Sequence, residues 1–290
     1  MRNLIGMNMP KRTRIRAEEL VKENYPGLPS HISAMLVTRF QEYDTKYCAN
    51  CSGTGSIYRV VGQGVRSNSC MCKKLLERKE RSSKLFAESN IPHLYQTSSL
   101  LSWKNMGVHP NEKKLNQSSF HTIDIYSKSL SRMKDKGYGL FLCGPNGVGK
   151  TFLGCAVGNV ATKAGYTVRF YTMATIIQMT IRGWFHDDAQ PTVVGIRESD
   201  FLIIDDLDKI YRTKTGIETS LFDNMLRERL QRRRPCIFTS NRTLADARED
   251  YSPSIHSMLL EQCAELVFVG QDHREGMSLD VKQDIVNGGN

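Results

Sequence analysis

The sequence predicts an α/β protein: a parallel sheet with helices on both faces, preceded by a small helical module built around clustered cysteines. Three observations carry this. From about Ser119 onward, short apolar runs alternate with helix-length segments, the pattern of a parallel sheet with crossover helices. A glycine-rich loop, GPNGVGKT, joins one such run to the helix after it. Upstream, Cys48, Cys51, Cys70 and Cys72 share one polar, Gly-rich stretch. The chain has 290 residues, enough for two domains, with 40% hydrophobic and 24% charged residues, a balance that argues against disorder.

In chain order, SHISAMLVTRFQEY (30–43) sets Ile32, Met35, Leu36 and Phe40 on one helical face, with Ser30 as N-cap. The cysteine segment follows, then a charged helix, KKLLERKERSSKLFAES (73–89). Ile91-Pro92 marks a break, because the residue before a proline is pushed out of the α region. The boundary is therefore expected there: a module over 1–90, an α/β domain over 91–275 and a loose tail over 276–290. Residues 93–119 lack a clear period and read as a connector. HTIDIYSKSLSRMKDKG (121–137) reads as a helix closing at Gly137, and GLFLCG (139–144) as a buried strand. TFLGCAVGNVATKAG (151–165) is a helix, TVRFYT (167–172) a second strand and FLIID (201–205) a third. LFDNMLRERLQRR (221–233) is the helix between that strand and a fourth, CIFTS (236–240), and AELVFVG (264–270) is a fifth.

Gly144, Pro145, Asn146, Gly147, Val148, Gly149, Lys150 and Thr151 fit G-x-x-x-x-G-K-[ST] at every fixed position, between a strand and a helix. The glycines let successive N–H groups face phosphate oxygens, and the helix N-terminus adds positive potential. Lys150 neutralises the β- and γ-phosphates of ATP, and the Thr151 hydroxyl can ligate Mg²⁺. Such a site needs a carboxylate at a neighbouring strand end, and FLIIDD supplies Asp205 for the metal and Asp206 to polarise an attacking water. Asn241, ending the strand FTSN, can reach the water or the γ-phosphate. An ordinary turn asparagine is the plainer alternative.

Cys48-x₂-Cys51 and Cys70-x-Cys72, with 18 residues between the pairs, suit a tetrahedral Zn²⁺ site with no open position, hence structural. An iron–sulfur cluster, which four cysteines also hold, and no metal at all are the alternatives. Cys143, Cys155, Cys236 and Cys263 stand singly among apolar residues and read as small buried hydrophobes.

With the loop, the strand-end acids and Asn241 in order, the chain from about Ile91 to Arg274 resembles the DnaC/DnaI helicase-loader branch of the AAA+ ATPases and the related IstB transposition helpers. The resemblance rests on IPHLY, GLFLCGPNGVGKT, FLIIDDL, RERLQRRRPCIFTSN and FVGQDHR, and covers roughly 180 of the 290 residues. It implies a P-loop AAA+ sheet behind a small helical zinc-binding module that contacts a helicase. It further implies ATP hydrolysis and self-association through the ATPase domain. One departure stands out. Where the family carries an arginine thought to act across the subunit interface, this chain has Met258, in IHSMLLE. Arg229, Arg242, Arg248 and Arg274 are the candidates to replace it, each with a solvated surface arginine as the plainer alternative.

Forty Lys and Arg against thirty Asp and Glu leave a net charge of +10, which favours a polyanionic partner such as nucleic acid. The run RERLQRRR (227–234) could meet single-stranded DNA phosphates or a neighbouring subunit's nucleotide, although a solvated helix face is as good a reading. No apolar run suits a membrane span, and the basic N-terminus lacks the apolar core of a secretory signal. The expectation is a cytoplasmic ATPase that places a replicative hexameric helicase on single-stranded DNA. The alternatives are a transposition helper, or a nucleotide-gated DNA-binding adaptor that hydrolyses little.

Overall fold

The structure, a computed structural model, describes residues 56–61, 64–183, 185–208, 217–248, 252–274 and 285. The chain divides into two compact units, Met1–Arg81 and Ser82–Asn290. The helix expected over 30–43 lies outside the described residues.

In the first unit, β1 (Ser56–Val61) and β2 (Gly64–Ser69) form an antiparallel hairpin whose register pairs Ser56 with Ser69. The sequence reading had no strands here. The signal was present: Val60, Val61 and Val65 flank a Gly-Gln-Gly turn. The helix α1 (Met71–Ala87) follows, and its residues from Ser82 onward belong to the second unit. There Leu85, Ser89 and Ile91 are buried, and the Phe170 N–H donates to the Ser89 carbonyl at 2.7 Å. The division thus falls nine residues ahead of the Ile91-Pro92 break, because residues 82–90 pack against the sheet.

The expected connector contains a helix. α2 (Pro110–Lys128) begins at a capping box in which Glu112 accepts from the N–H groups of Val108 (2.7 Å) and His109 (3.1 Å). Those bonds hold the Glu112 carboxyl below the usual carboxylate range. Its first turns, PNEKKLNQSS, are polar nearly all round, so no apolar period announces them. The helix expected over 121–137 is two: α2 ends at Ser129, whose φ of −121° leaves the helical region, and α3 (Leu130–Lys136) closes on left-handed Gly137.

Five parallel strands follow: β3 (Gly139–Cys143), β4 (Val168–Thr172), β5 (Phe201–Asp205), β6 (Cys236–Ser240) and β7 (Cys263–Val267). Their spatial order is β4-β5-β6-β3-β7. The helices between them are α4 (Lys150–Lys163), α5 (Met173–Arg182), α6 (Gln190–Glu198), α7 (Ile217–Gln231) and α8 (Pro253–Gln262). The sequence reading left 173–198 unassigned; α5 starts there from the Thr172 cap, whose hydroxyl accepts from the Thr175 N–H.

The inner strands β3, β5 and β6 read as apolar runs because both faces are covered, whereas the edge strands β4 and β7 carry polar residues such as Arg169 and Glu265. On one face Phe141, Leu202, Ile204 and Phe238 pack with α5 to α8; on the other Leu140, Leu142, Ile203 and Ile237 pack with α2, α3 and α4. β3 lies between β6 and β7, so the connections leaving β3 and β6 part in opposite directions. That switch point opens a crevice at the C-terminal ends of β3, β5 and β6, where ligands of open α/β sheets bind.

Candidate active site

The crevice is floored by the loop from β3 to α4. Gly144 (φ 137°) and Gly147 (φ 74°) adopt backbone that side chains rarely take, and neither has room for one. A Cβ on Gly144 would stand 1.9 Å from the Phe268 carbonyl oxygen, and one on Gly147 would stand 1.7 Å from Asp272 Oδ1. The reason is a strap, residues 268–274, lying across the loop. The Phe268 N–H donates to the Cys143 carbonyl (2.8 Å), the His273 N–H to the Gly147 carbonyl (3.2 Å), and the Gln271 N–H to the Met106 carbonyl (3.1 Å).

Lys150 opens α4 with its side chain folded back into the loop. Its ammonium donates to the carbonyls of Gly144 and Pro145, both at 2.7 Å, and to Asn241 Oδ1 at 3.1 Å. Burial pushes its pKa below the ordinary lysine value, against the pull of Asp208, Asp206 and Asp205. Thr151 donates its hydroxyl to Asp205 Oδ1 at 2.8 Å, and Thr239 donates to the same oxygen at 2.6 Å. Burial raises the Asp205 pKa despite both bonds. A hydroxyl and a carboxylate side by side are an oxygen donor set that suits a hard divalent cation.

Asp206 follows in left-handed backbone (φ 54°), its N–H held by the Thr239 hydroxyl at 3.0 Å, and its side chain lines the crevice. Asn241 lines it as well, beyond β6. The structure therefore brings Gly144 to Thr151, Asp205, Asp206 and Asn241 to one place. It adds Asp208, which the sequence reading passed over: its carboxylate accepts from the Asn241 N–H (2.9 Å) and from Asn241 Nδ2 (3.0 Å). Burial works to raise the Asp208 pKa, but these hydrogen bonds prevail and hold it below the usual range. The third acid of FLIIDDLD was the available signal.

The whole crevice encloses about 320 Å³, and its lining away from Lys150 includes Leu94, Tyr95, Trp103, Met106 and Arg274. Trp103 stacks on Phe120 (centroids 4.7 Å apart, planes 8° apart) and meets Phe268 edge-on at 6.0 Å. Tyr95 is half-buried. Burial raises its pKa, and a hydrogen bond from the Arg274 side chain opposes the rise. The wall carrying Tyr95 is fixed from α4, where Asn159 Nδ2 lies within hydrogen-bond reach of the carbonyls of Tyr95 (3.0 Å), Gln96 (3.3 Å) and Ser98 (3.0 Å).

The four candidate trans-acting arginines have different fates. Arg229 is fully buried in α7, its guanidinium committed to the carbonyls of Ile196 (2.6 Å), Arg197 (3.2 Å), Ser199 (3.1 Å) and Pro235 (3.2 Å), so it reaches no neighbouring subunit. Arg274 lines the cleft of its own chain. Arg242 and Arg248 are exposed, and Arg242 donates to the Asp246 carbonyl. Met258 is packed against the apolar core beneath α8. The basic run is also committed within the chain: Arg227 donates to Ser254, and Arg232 and Arg234 each pair with Glu198 at 2.6 Å. It precedes β6, at the end of the sheet opposite the crevice.

Cys48 and Cys51 lie outside the described residues. Cys70 is buried between β2 and α1, and Cys72 is half-buried in the first turn of α1. Among the described residues no group of three or more His, Cys, Asp or Glu side chains could hold a metal ion. Burial pushes the Cys143 thiol up to about 12 and raises Cys155, Cys236 and Cys263, which keeps all four as unreactive thiols.

The chain is similar to proteins of known family. The family model of the IstB-like ATP-binding protein matches residues 99–261, more than half of the chain. An insertion sequence IS21 protein of Pseudomonas aeruginosa designated as ATP-binding is 28% identical over 145 residues, which are 48% of this chain and 54% of that protein. The chain thus spans about half the length of this relative. Among solved structures, the DnaC helicase loader shares the fold with a TM-score of 0.51 at 22% identity, over 61% of this chain and 100% of that one. DnaI does so with 0.51 at 17%, over 62% and 96%. The replication initiator DnaA bound to AMPPCP and single-stranded DNA gives 0.50 at 16%, over 67% and 56%. The matched segment contains the phosphate loop, both strand-end acids and Asn241, and by that match the chain belongs to the family of IstB-like ATP-binding proteins.

Proposed function

We propose that this protein hydrolyses ATP and uses the cycle to place a replicative hexameric helicase on single-stranded DNA. The observation that carries the enzymatic part is the convergence of Lys150, Thr151, Asp205, Asp206 and Asn241 at the ends of three adjacent strands. The N–H groups from Asn146 to Thr151 cradle the phosphates, and Lys150 exchanges its loop carbonyls for β- and γ-phosphate oxygens. Thr151 and Asp205 would hold Mg²⁺, which would supply positive charge to offset that developing on the phosphate oxygens. Asp206 accepts hydrogen from the attacking water, and Asn241 fixes the water's position.

In this reading the N-terminal module contacts the helicase, and the ATPase domain, which includes the residues from Ser82 that pack against its sheet, self-associates around DNA. A Zn²⁺ held by Cys48, Cys51, Cys70 and Cys72 stabilises the module. The hairpin supports this, since its register returns the chain at Ser69, next to Cys70, to the side of Ser56, the residue that follows the Cys48–Cys51 segment in sequence by five positions. Arg242 and Arg248, exposed and outside the lining of the chain's own cleft, are the candidates for a trans-acting cation. No helix among the described residues is long and apolar enough to cross a membrane.

A transposition-helper role is the second reading, favoured by the family match and the IS21 relative. One experiment separates them. Phosphate release is measured with single-stranded DNA, with the replicative helicase of the source organism, and with an IS21-type transposase. The helicase reading expects co-purification with the helicase and a rate that changes with helicase and DNA. A response to the transposase alone establishes the second reading. Lys150→Ala is expected to lose tight ATP binding, and near-normal affinity in that variant would place the nucleotide elsewhere.

A further inference from the structure

We propose that Asp208 is a positioning residue that fixes the amide of Asn241 with its oxygen toward the phosphate loop, making Asn241 a ligand of the attacking water and not of the γ-phosphate. The inference rests on the ATPase reading above and assigns Asn241 its part in it.

An asparagine amide has one donor end and one acceptor end. Two independent partners decide which end points where. A carboxylate only accepts, so the Asp208 oxygen 3.0 Å away requires the nitrogen end of Asn241. An ammonium only donates, so Lys150, 3.1 Å from the other end, requires the oxygen. The two constraints agree, and Asp208 tightens them by also accepting from the Asn241 N–H at 2.9 Å. Backbone and side chain of Asn241 are thus gripped by one carboxylate, and a charge-assisted bond resists exchange more than a neutral one.

The consequence is chemical. A γ-phosphate oxygen is an acceptor, so it gains nothing from an amide oxygen and is repelled by it. The hydrogens of a water are donors. Once Lys150 leaves Asn241 Oδ1 for the phosphates, that oxygen is free to take one water hydrogen while Asp206, lining the same crevice, takes the other. Held this way, Asn241 distinguishes ATP from ADP only weakly, and its contribution falls on kcat.

The test uses the full chain and compares Asp208→Ala, Asp208→Asn and Asn241→Ala with wild type. Single-turnover ATP hydrolysis is measured together with affinity for ADP and for a slowly hydrolysed ATP analogue. Asp208→Ala is expected to lower kcat about 10- to 100-fold, with KM and both affinities within about twofold. Asp208→Asn keeps one acceptor for Asn241 and is expected to fall between the two; it also serves if the alanine variant folds poorly. In the Asn241→Ala background Asp208→Ala is expected to cost nothing more, which a merely structural carboxylate would not reproduce. A kcat within twofold of wild type in Asp208→Ala overturns the assignment, as does an undiminished loss in the Asn241→Ala background. Weakened binding of the ATP analogue with kcat unchanged overturns it too, by making Asn241 a phosphate ligand. A wild type that binds no nucleotide overturns the ATPase reading and this inference with it.

Discussion

Arg229→Met is expected to unfold the ATPase domain at markedly lower temperature without altering how it binds nucleotide. The guanidinium stands where α6 ends, and the carbonyls of Ile196, Arg197 and Ser199 that it holds have no partner further along a helix. They also form the negative end of the α6 dipole, which offsets the burial of a cation. Methionine fills most of the volume but donates nothing. Two or three carbonyls are left unpartnered at about 1–3 kcal/mol each, while removing a desolvated charge returns part of that, for a net loss of about 4 kcal/mol. At about 2–4 °C per kcal/mol for a domain of this size, the midpoint drops by roughly 10 °C. The assay is thermal unfolding followed by circular dichroism, with nucleotide affinity measured well below the transition. A variant that melts with wild type, yet no longer supports hydrolysis on a neighbouring subunit, would refute the structural role and restore Arg229 as a trans-acting residue.

Gly147→Ala should fold but lose ATP affinity at least as severely as a phosphate-contact variant, because the new methyl meets the Asp272 carboxylate at 1.7 Å and the loop or the strap must move; isothermal titration measures it. Asp200→Asn should remove stability near neutral pH and little in acid. Burial opposes ionisation of Asp200, but Lys134 at 2.6 Å and both the N–H and hydroxyl of Thr167 hold its pKa below 3.8. That contribution is present above the unfolded value and fades as pH falls through the lower folded one, so urea midpoints of wild type and variant should converge in acid. Met258→Arg is expected to raise ATPase activity only if the longer side chain can leave the core contacts of Met258, and then in a concentration-dependent way; an increase independent of protein concentration would exclude action between subunits.

What could be read from the sequence was whatever is local. Loop, helix start and strand-end acids sit within a few residues of one another, and their spacing alone sets their geometry. Apolar runs announced all five strands, although only β3, β5 and β6 are buried throughout. The first half of α2 escaped because the residues it buries, Asn116 and Ser119, are polar, and their reason for being inside lies 148 or more residues away: Asn116 binds the Val269 carbonyl and Ser119 the Val267 carbonyl. Arg229 misled for a related reason. In RERLQRRR every arginine looks alike, and only the helix turn decides that Arg229 faces inward while Arg232 meets Glu198 at the surface. Asp208 was missed because its partner, Asn241, comes from the next strand.

The grip of Asn159 on the Tyr95 wall gives α4 the character of a caliper. One jaw is its N-terminus, with Lys150 and Thr151 at the phosphate end, and the other is Asn159, holding the far wall. Nine residues of helix at 1.5 Å each separate the jaws by about 13 Å. A helix barely stretches, so the distance between the two ends of the cleft is constant through any cycle. A nucleotide cannot make the cleft shut lengthwise like a clam. Whatever change it causes must travel sideways instead, through the strap on one flank or the Asp208–Asn241 pair on the other.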